Sequence, residues 1–170
     1  VRGGDLVQLR APSLASEALR TLAGAAVRLC RDRGARVLLN AEPGLAEALD
    51  ADGVHLNARR LAEAARRPLP AHRLVAASCH NASELRRAER IGADFAVLSP
   101  VLPTPSHPGA ATLGWAGFAE LAEKARFPVY ALGGMRPELL RRAWDHGAQG
   151  IAGISGLWPT VGSQDPDNPD

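Results

Sequence analysis

A glycine-alanine pair stands three times between an amphipathic stretch and a short apolar run: Gly34-Ala35, Gly92-Ala93 and Gly147-Ala148. Glycine can take the left-handed conformation that ends a helix. The small alanine then packs closely as the chain enters the next strand. The repeated unit is therefore helix, Gly-Ala, strand, and strands alternating with helices require a parallel sheet. Strands are expected at Leu6–Arg10, Val37–Asn40, Gly53–Asn57, Leu74–Cys79, Phe95–Val101, Val129–Gly133 and Ile151–Ser155. Most are continuous Val/Leu/Ala runs, as strands covered on both faces should be. Helical patterns lie between them at Ser16–Arg33, Leu45–Leu49, Leu61–Arg66, Ser83–Ile91, Trp115–Lys124 and Pro137–His146. Asn81 with Glu84 reads as a capping box, Pro137 fits a first helical position, and Ser13 is a candidate cap for the first helix.

Such a sheet is either open and doubly wound or closed into a barrel. No Gly-x-Gly-x-x-Gly fingerprint follows any strand, so the dinucleotide-binding version is unsupported. Polar residues recur at or just past the strand C-terminal ends: Gln8, Arg10, Asn40, His55, Asn57, Ser78, His80, Ser99 and Ser155. In a barrel those ends share one face, which carries the site. The expected fold is α/β, a TIM (β/α)8 barrel with its first β/α unit missing from this chain. That unit is absent or belongs to a longer natural protein. Residues 1–159 are expected to form this one barrel domain and residues 160–170 a disordered tail.

Apolar residues make up 46% of the chain and aromatics only 4%, so the core must be built from aliphatic side chains. A formal charge of +2 is too mild to argue for nucleic acid. Arg20, Arg28, Arg66, Arg67, Arg86, Arg87, Arg141 and Arg142 are read as solvated helix faces. Two cysteines make no disulfide framework, and no apolar run is long enough to span a membrane, so a cytoplasmic protein is expected. No His/Cys spacing resembles a zinc site.

The strongest chemical signal is the pair of glycine-rich turns Ala131-Leu132-Gly133-Gly134 and Gly153-Ile154-Ser155-Gly156, which follow the last two strands. Glycines let backbone N–H groups approach an oxyanion, and barrels often bind phosphate there. The alternative is turns needed only for packing. The proline-stiffened loop from Ser99 to Gly109 offers Thr104, Ser106 and His107 as phosphate donors, or is an ordinary surface loop. Gln8 and Arg10 share one strand face. A guanidinium pointing into the mouth needs an anion or an acceptor network. His55 is either a bonded core residue or a catalytic one. Cys79 and His80 are strand neighbours on opposite faces, which counts against a thiol mechanism.

The order of motifs Val7-Gln8-Leu9-Arg10, Leu38-Leu39-Asn40, Asp52-Gly53-Val54-His55, Ser78-Cys79-His80-Asn81, Gly92-Ala93-Asp94, Ser99-Pro100-Val101-Leu102-Pro103-Thr104, Leu132-Gly133-Gly134 and Ile154-Ser155 resembles the thiamin phosphate synthase / TenI superfamily. The nearest likeness is to synthase-like domains that follow a MutT-type Nudix hydrolase, so a Nudix domain is a possible N-terminal partner. The resemblance implies joining of hydroxymethylpyrimidine pyrophosphate to a thiazole phosphate, with Mg²⁺ as the cofactor. It implies catalytic roles for Arg10 and Ser78, with Gln8 and Asn40 lining the pyrimidine pyrophosphate site. Thr104, Ser106, His107, Gly133, Gly134, Ile154 and Ser155 would hold phosphate.

This chain departs from the pattern. The usual metal carboxylate positions are Ala41, with Glu42 displaced by one, and Arg60, so no metal ligand is assigned. Family lysines are replaced by Pro12 and His107. A leaving pyrophosphate needs compensating positive charge, which Arg59, Arg60 or another subunit would have to supply. The alternatives are a non-catalytic phosphate- or thiamin-related binding domain attached to a Nudix hydrolase, a thiazole tautomerase-like enzyme, or a barrel enzyme acting on another phosphorylated metabolite. Ser99-Pro100, where the tautomerase branch has a histidine, counts against the second. The expected partners are small phosphorylated molecules or pyrophosphate, not nucleic acid or membrane.

Overall fold

The computed structural model describes residues 1–104 and 109–158. Seven strands form one sheet whose spatial order equals the chain order, the topology expected of a (β/α) barrel. By contacts the chain divides into two compact units, Val1–Val97 with Ala125–Pro128, and Leu98–Lys124 with Val129 onward.

The first unit contains β1 (Leu6–Leu9), α1 (Ser16–Asp32), β2 (Arg36–Leu39), α2 (Pro43–Ala48), β3 (Gly53–Leu56), α3 (Ala58–Glu63), β4 (Leu74–Cys79), α4 (Ala82–Arg90) and β5 (Phe95–Leu98) up to Val97. The pairs β1–β2, β2–β3 and β3–β4 are all parallel. Val37, Leu38 and Leu39 are all buried, as are Val54, His55 and Leu56, so β2 and β3 are covered on both faces. Burying each such aliphatic side chain contributes about 1.5–3 kcal/mol. Gly53 pairs with Leu74 so closely that a Cβ would lie 1.9 Å from the Leu74 carbonyl oxygen; glycine is what permits this register.

The second unit contains α5 (Gly114–Glu123), β6 (Val129–Ala131), a 3-10 turn (Pro137–Leu139) leading into α6 (Leu140–Asp145), and β7 (Gly150–Ile151), which runs parallel to β6. Its core includes Leu98, Val101, Phe118, Val129, Ala131 and Ala143.

The repeated junction has one geometry. Gly34, Gly92 and Gly147 have φ of 66°, 75° and 83°. The following alanine N–H reaches back into the helix, to Cys30, Ala88 and Ala143 at 2.9, 2.9 and 3.0 Å. Asp50-Ala51 makes a fourth copy, with Asp50 at φ 52° and Ala51 donating to Ala46 at 2.9 Å. The next residue enters the sheet. Asp52 and Asp94 donate backbone N–H to Val37 and Val75 carbonyls. Their carboxylates also accept from the N–H of those same valines, at 2.8 and 2.7 Å. Each aspartate thus locks its strand to the preceding one at both polar groups of one residue.

Several expectations need correction. Strands end earlier than their polar flanks, so Arg10, Asn40, Asn57, Gly133 and Ser155 lie in the loops just beyond them. Ser13 caps nothing; Ala15 is the N-cap of α1, because Ser13 sits in the preceding turn. Asn81 does cap α4, but Glu84 reaches past it to the His80 N–H at 2.6 Å. Three arginines read as solvated are in use. Arg67 bonds Asp94 at 2.7 Å, Arg87 donates to the Leu61 carbonyl at 2.6 Å, and Arg142 lies 5.4 Å over the Trp115 ring. No helix among the described residues is long and apolar enough to cross a membrane. The expected tail, residues 160–170, lies outside the described residues, as do Ser106 and His107.

Candidate functional site

In the first unit the polar residues at the C-terminal ends of β1, β2 and β3 form a connected chain. Asn40 Nδ2 donates to Gln8 Oε1 at 3.4 Å. Asn40 Oδ1 accepts from Arg60 Nη1, also at 3.4 Å. Arg60 Nε and Nη2 both donate to one oxygen of Glu42, at 3.1 and 2.9 Å. Arg60 is placed by its backbone: Asn57 Oδ1 accepts from the Arg60 N–H at 2.9 Å and starts α3. Asn57 is thus a cap rather than a ligand contact.

Arg10 lies just past β1, exposed rather than buried, because β1 is an end strand of the sheet order. Among the described residues it has no hydrogen-bond or ion-pair partner. An unpaired, exposed guanidinium two residues along the strand from Gln8 is a ready contact for an incoming anion.

Ser78 on β4 meets His55 on β3, Oγ to Nε2 at 2.8 Å. His55 is 2% exposed. Burial lowers its pKa from 6.5 to about 4, so the ring is neutral at physiological pH. A neutral imidazole holds the hydroxyl through one nitrogen and adds no charge. His55 is therefore the bonded core residue of the two readings, and it acts on the site by positioning Ser78. His80 Nδ1 contacts Glu84 Oε2 at 2.9 Å. The neighbouring Cys79 thiol is pushed up to about 12, by burial and then by the charge of Glu84. Such a thiol is no nucleophile.

The residues present do not fit a magnesium ion. Mg²⁺ takes hard oxygen ligands, usually one or two carboxylates with phosphate and water. The one carboxylate in this chain of contacts, Glu42, is already paired with Arg60. Ala41 supplies no ligand, and Arg60 supplies a positive charge where a cation would need a negative one. Among the described residues no group of three His, Cys, Asp or Glu side chains lies close enough to hold a metal.

In the second unit three loops pack on each other. Val101 and Leu102 donate to the carbonyls of Leu132 and Gly133 at 2.9 and 3.1 Å, which seats the Ser99–Thr104 segment on the turn after β6. Gly133 and Gly134 have φ of 99° and 68°. A Cβ on Gly134 would lie 2.8 Å from the Pro103 carbonyl oxygen, so only glycine allows this approach. The turn after β7 also abuts this segment: a Cβ on Gly156 would lie 2.1 Å from the Met135 carbonyl oxygen. Among the described residues the N–H groups of Gly134, Ile154 and Ser155 donate to no protein acceptor, and all three residues are exposed. Unpaired amides of exposed residues on two abutting turns are suited to an oxyanion.

Of the residues singled out in the sequence, Gln8 and Asn40 are thus brought together with Arg60 and Glu42. Ser78 joins His55, and Gly133, Gly134, Ile154 and Ser155 lie on abutting turns with Thr104 on the adjoining loop. The Arg60–Glu42 contact, across 18 residues of sequence, is the pairing that sequence reasoning missed.

A profile described as thiamine monophosphate synthase matches residues 1–157. A protein of Aquifex aeolicus named "Putative thiamine-phosphate synthase 2" is 38% identical over 154 residues, covering 91% of this chain and 83% of that protein. The thiamine-phosphate synthase of Chlorobium luteolum is 37% identical over 160 residues, covering 92% and 76%. Among solved structures, thiamine phosphate pyrophosphorylase from Pyrococcus furiosus superposes with a TM-score of 0.71 at 24% identity, covering 89% of this chain and 73% of that one.

Proposed function

The chain belongs to the thiamine monophosphate synthase family, and from that premise we propose that it joins a pyrimidine pyrophosphate to a thiazole phosphate. The bond from the pyrimidine methylene carbon to the pyrophosphate oxygen breaks and its electron pair leaves with pyrophosphate. The lone pair of the thiazole nitrogen forms the new carbon–nitrogen bond. Arg10, unpaired and exposed, meets the pyrophosphate. Gln8 and Asn40, linked amide to amide, orient the pyrimidine side. Ser78, held by neutral His55, donates to or accepts from the ligand without adding charge. In the second unit, the N–H groups of Gly134, Ile154 and Ser155 take the thiazole phosphate, with Thr104 on the adjoining loop. Fixed donors of this kind act where charge develops and need no reorganisation.

The observation that carries the reading is the close seat of Gly156 on Met135, which sets two turns with unpaired amides against each other. A specific observation favours the second reading, a phosphate-binding domain without turnover: Glu42, the carboxylate beside the usual metal position, is paired with Arg60 at 2.9 Å. A cytoplasmic setting belongs to this reading through the two cysteines, which make no disulfide framework, and a Nudix domain ahead of this chain through the likeness in sequence.

The test is to supply both substrates and measure pyrophosphate and thiamin phosphate together. Equimolar formation of the two, lost in Arg10→Ala, supports the transferase. Binding of thiazole phosphate with no product supports the binding domain. Neither binding nor product refutes both.

A further inference from the structure

We propose that the Arg60 guanidinium stands in for a divalent metal, so that a pyrophosphate group binds the first unit without Mg²⁺. The inference rests on the reading above only in taking the ends of β1, β2 and β3 as a site for a phosphorylated ligand.

Arg60 is held from both ends. Its N–H is fixed by the Asn57 cap at 2.9 Å, and its side chain is only 19% exposed. The carboxylate that pairs with it is 72% exposed. The cation is therefore the built-in member of the pair and Glu42 the solvent-facing one. Arg59 is the contrast: its side chain is 71% exposed and its contact to Glu63, at 3.8 Å, lies along the surface of α3. Of the two arginines that could supply charge, only Arg60 joins the Asn40–Gln8 chain.

Arg60 also has a donor to give. Its bond to Asn40 and the Asn40 bond to Gln8 are both 3.4 Å. These are long beside the usual 2.9–3.0 Å or so for N–H···O. A phosphate oxygen arriving at Nη1 gains a shorter, charge-assisted bond and frees Asn40 to turn toward the ligand. Arg10 offers a second guanidinium with no protein partner among the described residues. Arg10 follows Leu9, whose carbonyl accepts from the Asn40 N–H at 2.9 Å, so a second guanidinium is tethered to the same strand end; planar N–H forks match phosphate oxygens. A divalent cation at the same place would face Arg60 and a carboxylate, Glu42, already paired with it.

The test is calorimetric titration of the whole chain with inorganic pyrophosphate, in excess EDTA and again in Mg²⁺. The expected result is a Kd in EDTA within about threefold of that in Mg²⁺. Arg60→Gln should weaken binding by about tenfold or more. Glu42→Gln, which unmasks the cation, should tighten it; damage to the fold could not produce that sign. Arg60→Asp, which adds a second carboxylate, should leave binding that needs Mg²⁺. The proposal is overturned if EDTA weakens wild-type binding about tenfold, if Arg60→Gln binds as the wild type does, or if pyrophosphate binds under neither condition. Its failure is separable from that of the transferase reading. Turnover that requires Mg²⁺ would sink this inference and keep the transferase. Mg²⁺-independent pyrophosphate binding without turnover would do the reverse.

Discussion

Lowering the pH should destabilise this protein through His55 over a window that its burial defines. The ring has a folded pKa of about 4 against an ordinary 6.5, because burial penalises the imidazolium. Between those values the unfolded chain binds a proton that the folded chain refuses. The stabilisation from keeping His55 neutral is therefore complete above the unfolded pKa and is lost as pH falls toward the folded one. At about 1.36 kcal/mol per pKa unit, the full span is about 3 kcal/mol, and the loss between about pH 7 and pH 5 is about 2 kcal/mol. Urea unfolding across that range, for wild type and His55→Gln, isolates the effect. Glutamine does not titrate, so the variant's stability should fall by about 2 kcal/mol less over the interval, whatever its starting stability. The imidazole resonances of folded protein give a second check. A His55 titration midpoint near 6.5 in the native state, or equal pH slopes for the two proteins, would refute the reasoning.

Asp94→Ala should cost about 2–4 kcal/mol, measured by urea midpoint, because it strips the Val75 N–H and the Arg67 guanidinium of one shared acceptor. Gly156→Ala should weaken thiazole phosphate binding by about tenfold or more, while leaving pyrophosphate binding at Arg60 unchanged. Its Cβ would overlap the Met135 carbonyl and push the turn away; unchanged affinity would show that the close seat is irrelevant to phosphate. Cys79, fully buried with its thiol pushed up to about 12, should resist iodoacetamide at mildly alkaline pH until the protein unfolds. Fast native alkylation would contradict that burial.

How far the site was legible varied by residue. Gln8 and Asn40 were found because they stand at strand ends, and parallel strands bring such ends to one side. Their direct bond follows from the parallel pairing of β1 with β2, which sets Gln8 opposite Leu38. His55 presented two readings until its burial and its bond to Ser78 removed the catalytic one. Asp50-Ala51 escaped notice because aspartate takes a left-handed backbone far less often than glycine and so signals it only weakly. The arginines misled most. At helical spacing, Arg87 is indistinguishable from Arg86, yet Arg87 reaches the end of α3.

The local chemistry of the chain decided its elements: where glycine breaks a helix, where an aliphatic run must be buried on both faces, and hence a parallel α/β sheet. Those choices depend on neighbours a few residues away. Which charges meet was decided only by the tertiary structure. The Arg60–Glu42 pair and the seat of Gly156 on Met135 depend on how strand register and loop course bring separated segments together. A guanidinium carries the same charge in every fold; what it binds depends on which acceptors the packed backbone leaves within about 3 Å of it.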